Sequence, residues 1–328
     1  MHAWLCETTT GPDALVWREL PTPEPAADEI RVAIHAASIN FPDLLTVEGK
    51  YQVRPPLPFV PGSEFSGRVE AVGSGVTHLR VGDAVAAIGS SGGFGTHACI
   101  TAAQAISLPP GFKLEEAAAF AFTYGTSHHA LLDRGQLQPG ETVLVLGAAG
   151  GVGTAAVQIA KAAGARVIAA ASTDEKCAAC RAIGADETVN YSRDNLRDAL
   201  KALTNGKGPD IVYDPIGGDL AEPVFRSIAW RGRYLVIGFA AGGIPALPFN
   251  LPLLKGASVV GVFWGDFVRR EPAANARALG ELAGWYAQGK IKPLIDTVLP
   301  MSEVPTAYRR MAARDIRGKL VLVNQHPG

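Results

Sequence analysis

The chain is poor in the features that mark specialised proteins. Four cysteines in 328 residues are too few to read as a disulfide framework. Lysine plus arginine (30) and aspartate plus glutamate (31) nearly cancel, leaving a formal net charge of −1. The basic excess that accompanies nucleic-acid binding is therefore missing. No apolar stretch reaches the ~18 residues needed to span a bilayer, because glycine and charged residues interrupt every run. The opening segment MHAWLCETTTGPDALVW lacks a basic region followed by a long apolar run, so it does not read as a signal peptide. These absences lead to the expectation of a globular cytoplasmic protein with neither nucleic acid nor membrane as a partner. The length sets a prior of about two domains, each with material for a sizeable core.

One cysteine pattern needs separate treatment. Cys177 and Cys180 form a C-x-x-C, but TDEKCAACRAIGA reads as a helix. No second cysteine pair or nearby histidine completes a zinc site, so the two are read as small helix-packing residues.

Residues 1 to about 120 contain short β-like runs (EIRVAIHAASI, FSGRVEAVG, DAVAAIG, FGTHACI) punctuated by PTPEP, RPPLPFVPG and LPPG. That pattern suits a compact, largely antiparallel β domain. KLEEAAAFAFTYGTSHHALLDRG then reads as a helix. From residue 141 strands alternate with helices: TVLVLGA, ARVIAAAS, DETVNY, DIVYDPIG, RYLVIGF and SVVGVFW, with helical segments around 151–164, 174–183, 194–204 and 219–229. Such alternation builds a parallel sheet covered by helices on both faces. The tail supplies a helix, a strand, another helix and a last strand.

The first strand of that alternation runs into Gly147, Gly150, Gly151 and Gly153, and a helix and a second strand follow. Glycine permits a tight turn and close approach of a pyrophosphate, while the helix N-terminus offers free N–H groups and partial positive charge. G-K-[ST] is absent, which argues against a nucleoside-triphosphate loop. The end of the second strand bears on the choice between NAD and NADP. An acid there, about 20 residues past the glycines, binds the ribose hydroxyls and repels a 2′-phosphate. Here Ala171 and Ser172 occupy that place, while Asp174 and Glu175 read as first-turn residues of the next helix. Ser172 offers a hydrogen bond, Lys176 a counter-charge, and Tyr191 a ring across the same site. Lys176 taken alone reads as a solvated helix lysine; the joint pattern favours NADP(H).

An ordered set of motifs spans essentially the whole chain: AASINFPDLLTVEGKY (36–51), PGSEFSGRVEAVG (61–73), VGDAV (81–85), FTYGTSHHAL (122–131), GAAGGVGTAAVQIAK (147–161), YDPIGGD (213–219) and the terminal GKLVLV. This set resembles the zinc-free quinone oxidoreductase (zeta-crystallin-like) branch of the medium-chain dehydrogenase/reductases. The resemblance implies an α/β fold: a Rossmann doubly wound parallel sheet plus a GroES-like, mainly-β catalytic domain, with the active site in the cleft between them. The implied boundaries are 1–124, completed by 262–328, for the catalytic domain and 125–261 for the NADP-binding domain.

The resemblance also maps dinucleotide contacts onto Asn40, Phe41, Leu45, Thr126, Gly150, Gly151, Val152, Ser172, Lys176 and Tyr191. Gly238, Phe239, Ala240, Phe263, Trp264 and Arg314 complete that set. Zinc-dependent members place a cysteine where this chain has Asn40, and GHE where it reads Gly62-Ser63-Glu64. Asparagine and serine are poor zinc ligands, and the cysteine-rich lobe after VGDAV is missing. The chain is therefore expected to hold neither catalytic nor structural zinc, with Glu64 only a buried hydrogen-bonding residue. Without a Lewis acid to stabilise an alkoxide, hydride must go to an acceptor that delocalises charge itself.

A quinone is the leading acceptor. An enone or enoyl thioester is the alternative, and a non-catalytic NADPH-binding protein the third reading. On the substrate side Asn40 and Tyr51 are the candidates. A polar Asn40 between apolar Ile39 and Phe41 needs a partner if buried. The Tyr51 phenol either stabilises a developing enolate or merely packs in its loop. His128 and His129 are adjacent in a helical segment with no acidic partner evident, and are not assigned a role. Trp264 either lines the substrate pocket or packs a dimer interface. The sixth strand, SVVGVFW, pairs with its two-fold mate in this family, so a homodimer is expected.

Overall fold

The computed structural model describes residues 1–89 and 91–324. The chain divides into two compact units, Met1–Phe122 together with the chain from Ile295 onward, and Thr123–Leu294.

The first unit is mostly β. An antiparallel pair, β1 (His2–Leu5) and β2 (Val16–Glu19), precedes the long strand β3 (Glu29–Ser38). β3 buries Ile30, Val32, Ile34 and Ala36 at alternate positions, the period of a strand with one face on a core. The short helix α1 (Phe41–Val47) follows, then β4 (Glu64–Val72), β5 (Ala84–Ile88), β6 (His97–Thr101) and β7 (Ala105–Ser107). β3 pairs antiparallel with both β4 and β6, and β5 lies between β4 and β7. At the β3–β4 irregularity Gly67 is obligatory, because a Cβ there would lie 2.0 Å from the Ala33 carbonyl oxygen.

The segment expected as one helix is broken into three. α2 (Leu114–Ala117) and α3 (Ala121–His128) are separate, and His129–Arg134 forms a π-helical turn. The first break has a visible cause. The Glu64 carboxylate accepts the Phe122 N–H at 2.8 Å, satisfying a first-turn donor of α3 from a distant strand.

The second unit alternates strand and helix: β8 (Thr142–Leu146), α4 (Gly151–Ala162), β9 (Arg166–Ala171), α5 (Asp174–Ala182), β10 (Glu187–Asn190), α6 (Leu196–Leu203), β11 (Ile211–Asp214), α7 (Ala221–Arg226), β12 (Arg233–Val236), α8 (Asn250–Lys255) and β13 (Ser258–Gly261). All neighbours are parallel, in the order β10-β9-β8-β11-β12-β13. This is the 3-2-1-4-5-6 arrangement of a doubly wound dinucleotide-binding sheet, whose strand order reverses beside its first strand. Val143 to Leu146 are fully buried, as a strand covered on both faces requires. β13 is an edge strand and leaves Val259 exposed.

Helices α9 (Trp264–Arg270) and α10 (Pro272–Ala287) come next. The chain then returns to the first unit through β14 (Ile295–Pro300), α11 (Val304–Ala312) and β15 (Lys319–Val323). β15 runs parallel to β14 and antiparallel to the end of β3. The return falls at Ile295, not at residue 262 as the sequence suggested. Side chains explain the difference. Trp264 packs on Gly125, His128 Nε2 lies 3.0 Å from Glu281, and Gln158 clasps Lys292 through both backbone groups, at 2.9 and 2.6 Å. These contacts tie 262–294 to the second unit.

Gly125 supplies a test of that tie. A Cβ on it would sit 2.5 Å from the Trp264 indole. Gly125→Ala is expected to cost about 1–3 kcal/mol through overpacking, read as a lowered thermal midpoint and an altered near-ultraviolet tryptophan signal. An unchanged midpoint would mean that Trp264 is not held there.

Candidate functional site

In the second unit the candidate residues gather at the carboxyl ends of the strands, where ligands bind in open parallel sheets. β8 ends at Leu146, and Gly147 turns the chain at φ 55°, a left-handed conformation that favours glycine. Gly150 caps α4 without a side chain, so the first-turn N–H groups at Gly151, Val152 and Gly153 have no partner inside the helix. A Cβ on Gly153 would lie 2.3 Å from the Gly147 carbonyl oxygen. The last glycine of the cluster is thus required for α4 to sit against the turn. Ser127 Oγ donates to the Val152 carbonyl at 2.9 Å and meets the buried Tyr213 hydroxyl at 2.9 Å. That pair of bonds fixes α3, and with it the buried Thr126, beside the glycine turn. The cradle fits a phosphate group: backbone donors, partial positive charge, and no side chain in the way.

At the end of β9, half-buried Ser172 follows Ala171. Thr173 caps α5 by accepting the Lys176 N–H at 3.2 Å. The nearest acid, Asp174, is committed elsewhere. Asn190 donates to one of its oxygens at 3.0 Å and Arg193 to the other at 2.9 Å. Tyr191 donates its N–H to the Ala171 carbonyl at 3.0 Å, bringing its half-buried ring to the same strand end. Ser172, Lys176 and Tyr191 thus share one corner of the unit.

The loops after β11 and β12 are braced by a residue that sequence reasoning did not single out. Buried Asp214 accepts the N–H groups of Ile216 and Gly217 at 2.7 and 2.9 Å and the Tyr234 hydroxyl at 2.5 Å. Gly238, Phe239 and Ala240 follow, with the Ala240 N–H on the Pro215 carbonyl at 3.0 Å and the Phe239 ring over Gly217. Of the pair after β13, Phe263 is 60% exposed and Trp264 is buried. The Trp264 ring is therefore a packing element within its own unit.

The first unit holds a buried polar corner. Glu64, fully buried, accepts hydrogen bonds from Ser38 Oγ (2.8 Å), Asn40 Nδ2 (3.1 Å) and the Phe122 N–H. Lys319 Nζ, only 4% exposed, donates to Asn40 Oδ1 at 2.5 Å and lies 3.4 Å from Glu64. Burial pushes the Lys319 ammonium below its ordinary value, while Glu64 and Asp43 pull it back up. Asp43, in the first turn of α1, accepts the Asn40 N–H at 2.8 Å. Burial raises its carboxyl to about 6, against the lowering effects of that bond, of Ser63 and of Lys319. The Ser63 hydroxyl is near enough to contribute, although it reaches no hydrogen-bond partner at full geometry. Half-buried Tyr51 follows α1, its phenol raised by burial and by the Asp43 charge. Phe41 and Leu45 are half-buried on α1, and Arg314 is exposed in the turn before β15 with φ 56°.

This corner does not suit a divalent metal. An ammonium bonded to Asn40 and beside Glu64 puts positive charge where a zinc ion would have to sit, and amide and hydroxyl groups are poor ligands. Among the described residues no group of three His, Cys, Asp or Glu side chains is placed to hold a metal. Glu64 is more than a passive buried acid, because it joins four segments of the chain. Lys319 and Asp43 were missed in the sequence. The available signals were a lysine opening an otherwise apolar strand and an acid three residues past Asn40.

Two smaller expectations also meet the structure. Cys177 and Cys180 are buried free thiols on α5, and burial pushes Cys180 up to about 12, as packing residues behave. The histidines do have acidic neighbours, contrary to the sequence reading: Glu281 for His128, and Asp133 at 2.8 Å for His129. Glu281 lies 153 residues away in sequence, and the π-helical turn carries Asp133. Burial nevertheless lowers the His129 pKa, and its ring stacks on Phe267 at 4.0 Å.

The chain matches two family models, an alcohol dehydrogenase GroES-like domain over residues 26–110 and a zinc-binding dehydrogenase over 151–280. A doubly wound dinucleotide-binding unit together with a GroES-like unit defines a medium-chain dehydrogenase/reductase. The chain is 38% identical to a quinone oxidoreductase-like protein 2 homolog of Nematostella vectensis, over 95% of this chain and 86% of that one. The fold is similar to a mycobacterial protein solved with NADPH (TM-score 0.92, 30% identity, 98% and 100% of the two chains). It is likewise similar to the Escherichia coli quinone oxidoreductase complexed with NADPH (TM-score 0.90, 31% identity, 98% and 100%). The chain belongs to the zinc-independent quinone-oxidoreductase-like branch of the medium-chain dehydrogenase/reductases.

The Asp43 environment has a signed consequence for stability. Its folded value of about 6 lies above the ordinary 3.8, so folding favours the protonated form. The contribution is complete below about pH 4 and is lost as pH rises through 6, about 3 kcal/mol in all. Asp43→Asn keeps an acceptor for the Asn40 N–H and cannot ionise. Its stability relative to the natural chain should rise between pH 4 and 7 in denaturant titrations; a pH-independent difference would show that Asp43 is not titrating there.

Proposed function

We propose that this protein is an NADPH-dependent oxidoreductase that transfers hydride to quinones and related electrophilic carbonyl acceptors without zinc. The observation that carries the cofactor assignment is the end of β9. Asp174 is committed to Asn190 and Arg193 and does not reach for ribose hydroxyls, while Ser172 and Lys176 occupy the corner. A 2′-phosphate suits that corner and an unphosphorylated ribose gains little from it. The pyrophosphate belongs on the Gly150–Val152 turn. Thr126, Tyr191, Gly238, Phe239, Ala240 and Phe263 are the further contacts in the second unit, and Asn40, Phe41, Leu45 and Arg314 those in the first. The relatives solved with NADPH support the same cofactor here.

Bound NADPH supplies hydride; the chain's part is to orient it, exclude water and stabilise charge on the acceptor oxygen. Asn40 and Tyr51 are the groups for that last task. Lys319 in place of a metal supports an acceptor that delocalises charge within itself, as a quinone does.

The protein is further read as a cytoplasmic homodimer with no nucleic-acid partner. No helix among the described residues is long and apolar enough to cross a membrane, and the formal charge is near zero. The dimer reading rests on the unpaired edge of β13. Val259, Trp230, Phe249, Leu253 and Leu254 are exposed on that strand and the segments beside it, and an uncovered apolar edge invites a second copy. Val259→Asp should shift sedimentation toward the monomer; a natural chain that already sediments as a monomer would overturn the dimer.

Activity is tested by NADPH oxidation with a quinone, an enone and an acyl-CoA. Turnover is expected with the quinone, and turnover of the enoyl thioester alone would move the assignment to the alternative reductase. NADPH binding with no turnover of any acceptor would indicate a binding protein. Lys176→Ala should raise KM for NADPH by roughly ten- to a hundredfold, the worth of a charged hydrogen bond, and leave NADH little changed. Equal effects on the two cofactors would contradict the β9 assignment.

A further inference from the structure

Lys319 is a buried charged group of the first unit to which the proposed function gives no contact with cofactor or acceptor. It opens β15, an otherwise apolar strand, and is almost wholly buried. A buried ammonium is costly unless several acceptors surround it, and here the nearest acceptor is an uncharged amide. Nζ lies closer to Asn40 Oδ1 (2.5 Å) than to the Glu64 carboxylate (3.4 Å). Asn40 Nδ2 in turn donates to Glu64 at 3.1 Å. The amide is thus gripped at both ends by charges of opposite sign. A flipped amide would set its NH2 against the ammonium and its oxygen against the carboxylate, two repulsive contacts in place of two attractive ones. Since Glu64 takes one Nδ2 hydrogen, the second is left over, in a direction set by the same grip.

We propose that Lys319 is a positioning residue: with Glu64 it locks the Asn40 amide in one orientation, so that the second Nδ2–H meets the oxygen on which charge develops during reduction. This rests on the reading of the protein as a reductase of carbonyl electrophiles. Through the amide, the ammonium also polarises that N–H, which strengthens a hydrogen bond to an incipient oxyanion. The grip joins β15, the start of α1 and β4, so residues far apart in sequence set one donor.

Lys319→Met alone strands the Glu64 charge and is expected to unfold the unit. The informative variant is therefore Glu64→Gln/Lys319→Met, which removes both charges. The neutral amide introduced at position 64 can partner Asn40 in either orientation, so the fold is retained while the lock is lost. Three readouts are compared with the natural chain: NADPH affinity, kcat with a quinone, and the Asn40 side-chain amide signals in 15N-labelled protein, assigned with Asn40→Asp. The expected result is NADPH affinity within about twofold, kcat lower by on the order of ten- to a hundredfold, and an Asn40 amide pair that changes from one sharp set to doubled or broadened signals. Unchanged amide signals would overturn the proposal, and so would an unchanged kcat beside a disordered amide. If the natural chain binds NADPH but reduces no acceptor while the amide signals change as expected, the activity reading fails and the hold of Lys319 on Asn40 stands.

Discussion

A carboxylate shut away from water must gather its own solvation, and Glu64 is such a group. The four segments that supply its partners are brought to fixed points by that demand. The end of β3 brings Ser38, the residue before α1 brings Asn40, β15 brings Lys319, and the chain entering α3 brings the Phe122 amide. The break between α2 and α3, the entry angle of α1 and the docking of the C-terminal strand all meet at this one side chain. The residues proposed to face the acceptor are neighbours of it. The same group that would be a liability in an apolar core therefore organises the buried polar corner of the first unit.

The second unit solves a different problem with different means. A dianionic pyrophosphate needs donors and positive potential without bulk, and the turn after β8 provides backbone amides, with glycine at 147 and 153 where a Cβ would collide. Around it, hydrogen bonds hold the frame: Ser127 to Val152 and Tyr213, and Asp214 to the loop after β11. The proposed basis of cofactor specificity is one corner, the end of β9, where the placing of a single carboxylate distinguishes the two nicotinamide cofactors. Asp174 stands close by in sequence and is occupied by Asn190 and Arg193.

Much of this was readable in the amino-acid sequence, for definite reasons. The strands and helices of the second unit carry local signals: apolar runs for buried parallel strands, acids in the first turn of α5, and a glycine cluster between β8 and α4. The six strands fall where the sequence places them. Readings that depended on long-range contacts fared less well. Nothing local to residues 113–135 reveals that Glu64 interrupts the helix there. The assignment of 262–294 to the second unit hangs on Trp264 meeting Gly125 and on Gln158 meeting Lys292, pairs separated by more than a hundred residues. Lys319 had the weakest signal of all, since one lysine at the start of a strand resembles any solvent-facing residue until the fold buries it. Asn40, by contrast, was legible because a polar residue between two apolar ones implies a partner, and the structure supplies two.

The account turns on hydride passing from NADPH to a charge-delocalising acceptor in a site whose fixed cation belongs to the chain. The most direct measurement is single-turnover reduction of a quinone by 4-deuterated NADPH, before and after exhaustive treatment of the protein with a zinc chelator. The account predicts a primary isotope effect on NADPH oxidation and a rate that chelation leaves unchanged. Loss of turnover on chelation, restored by added zinc, would contradict it.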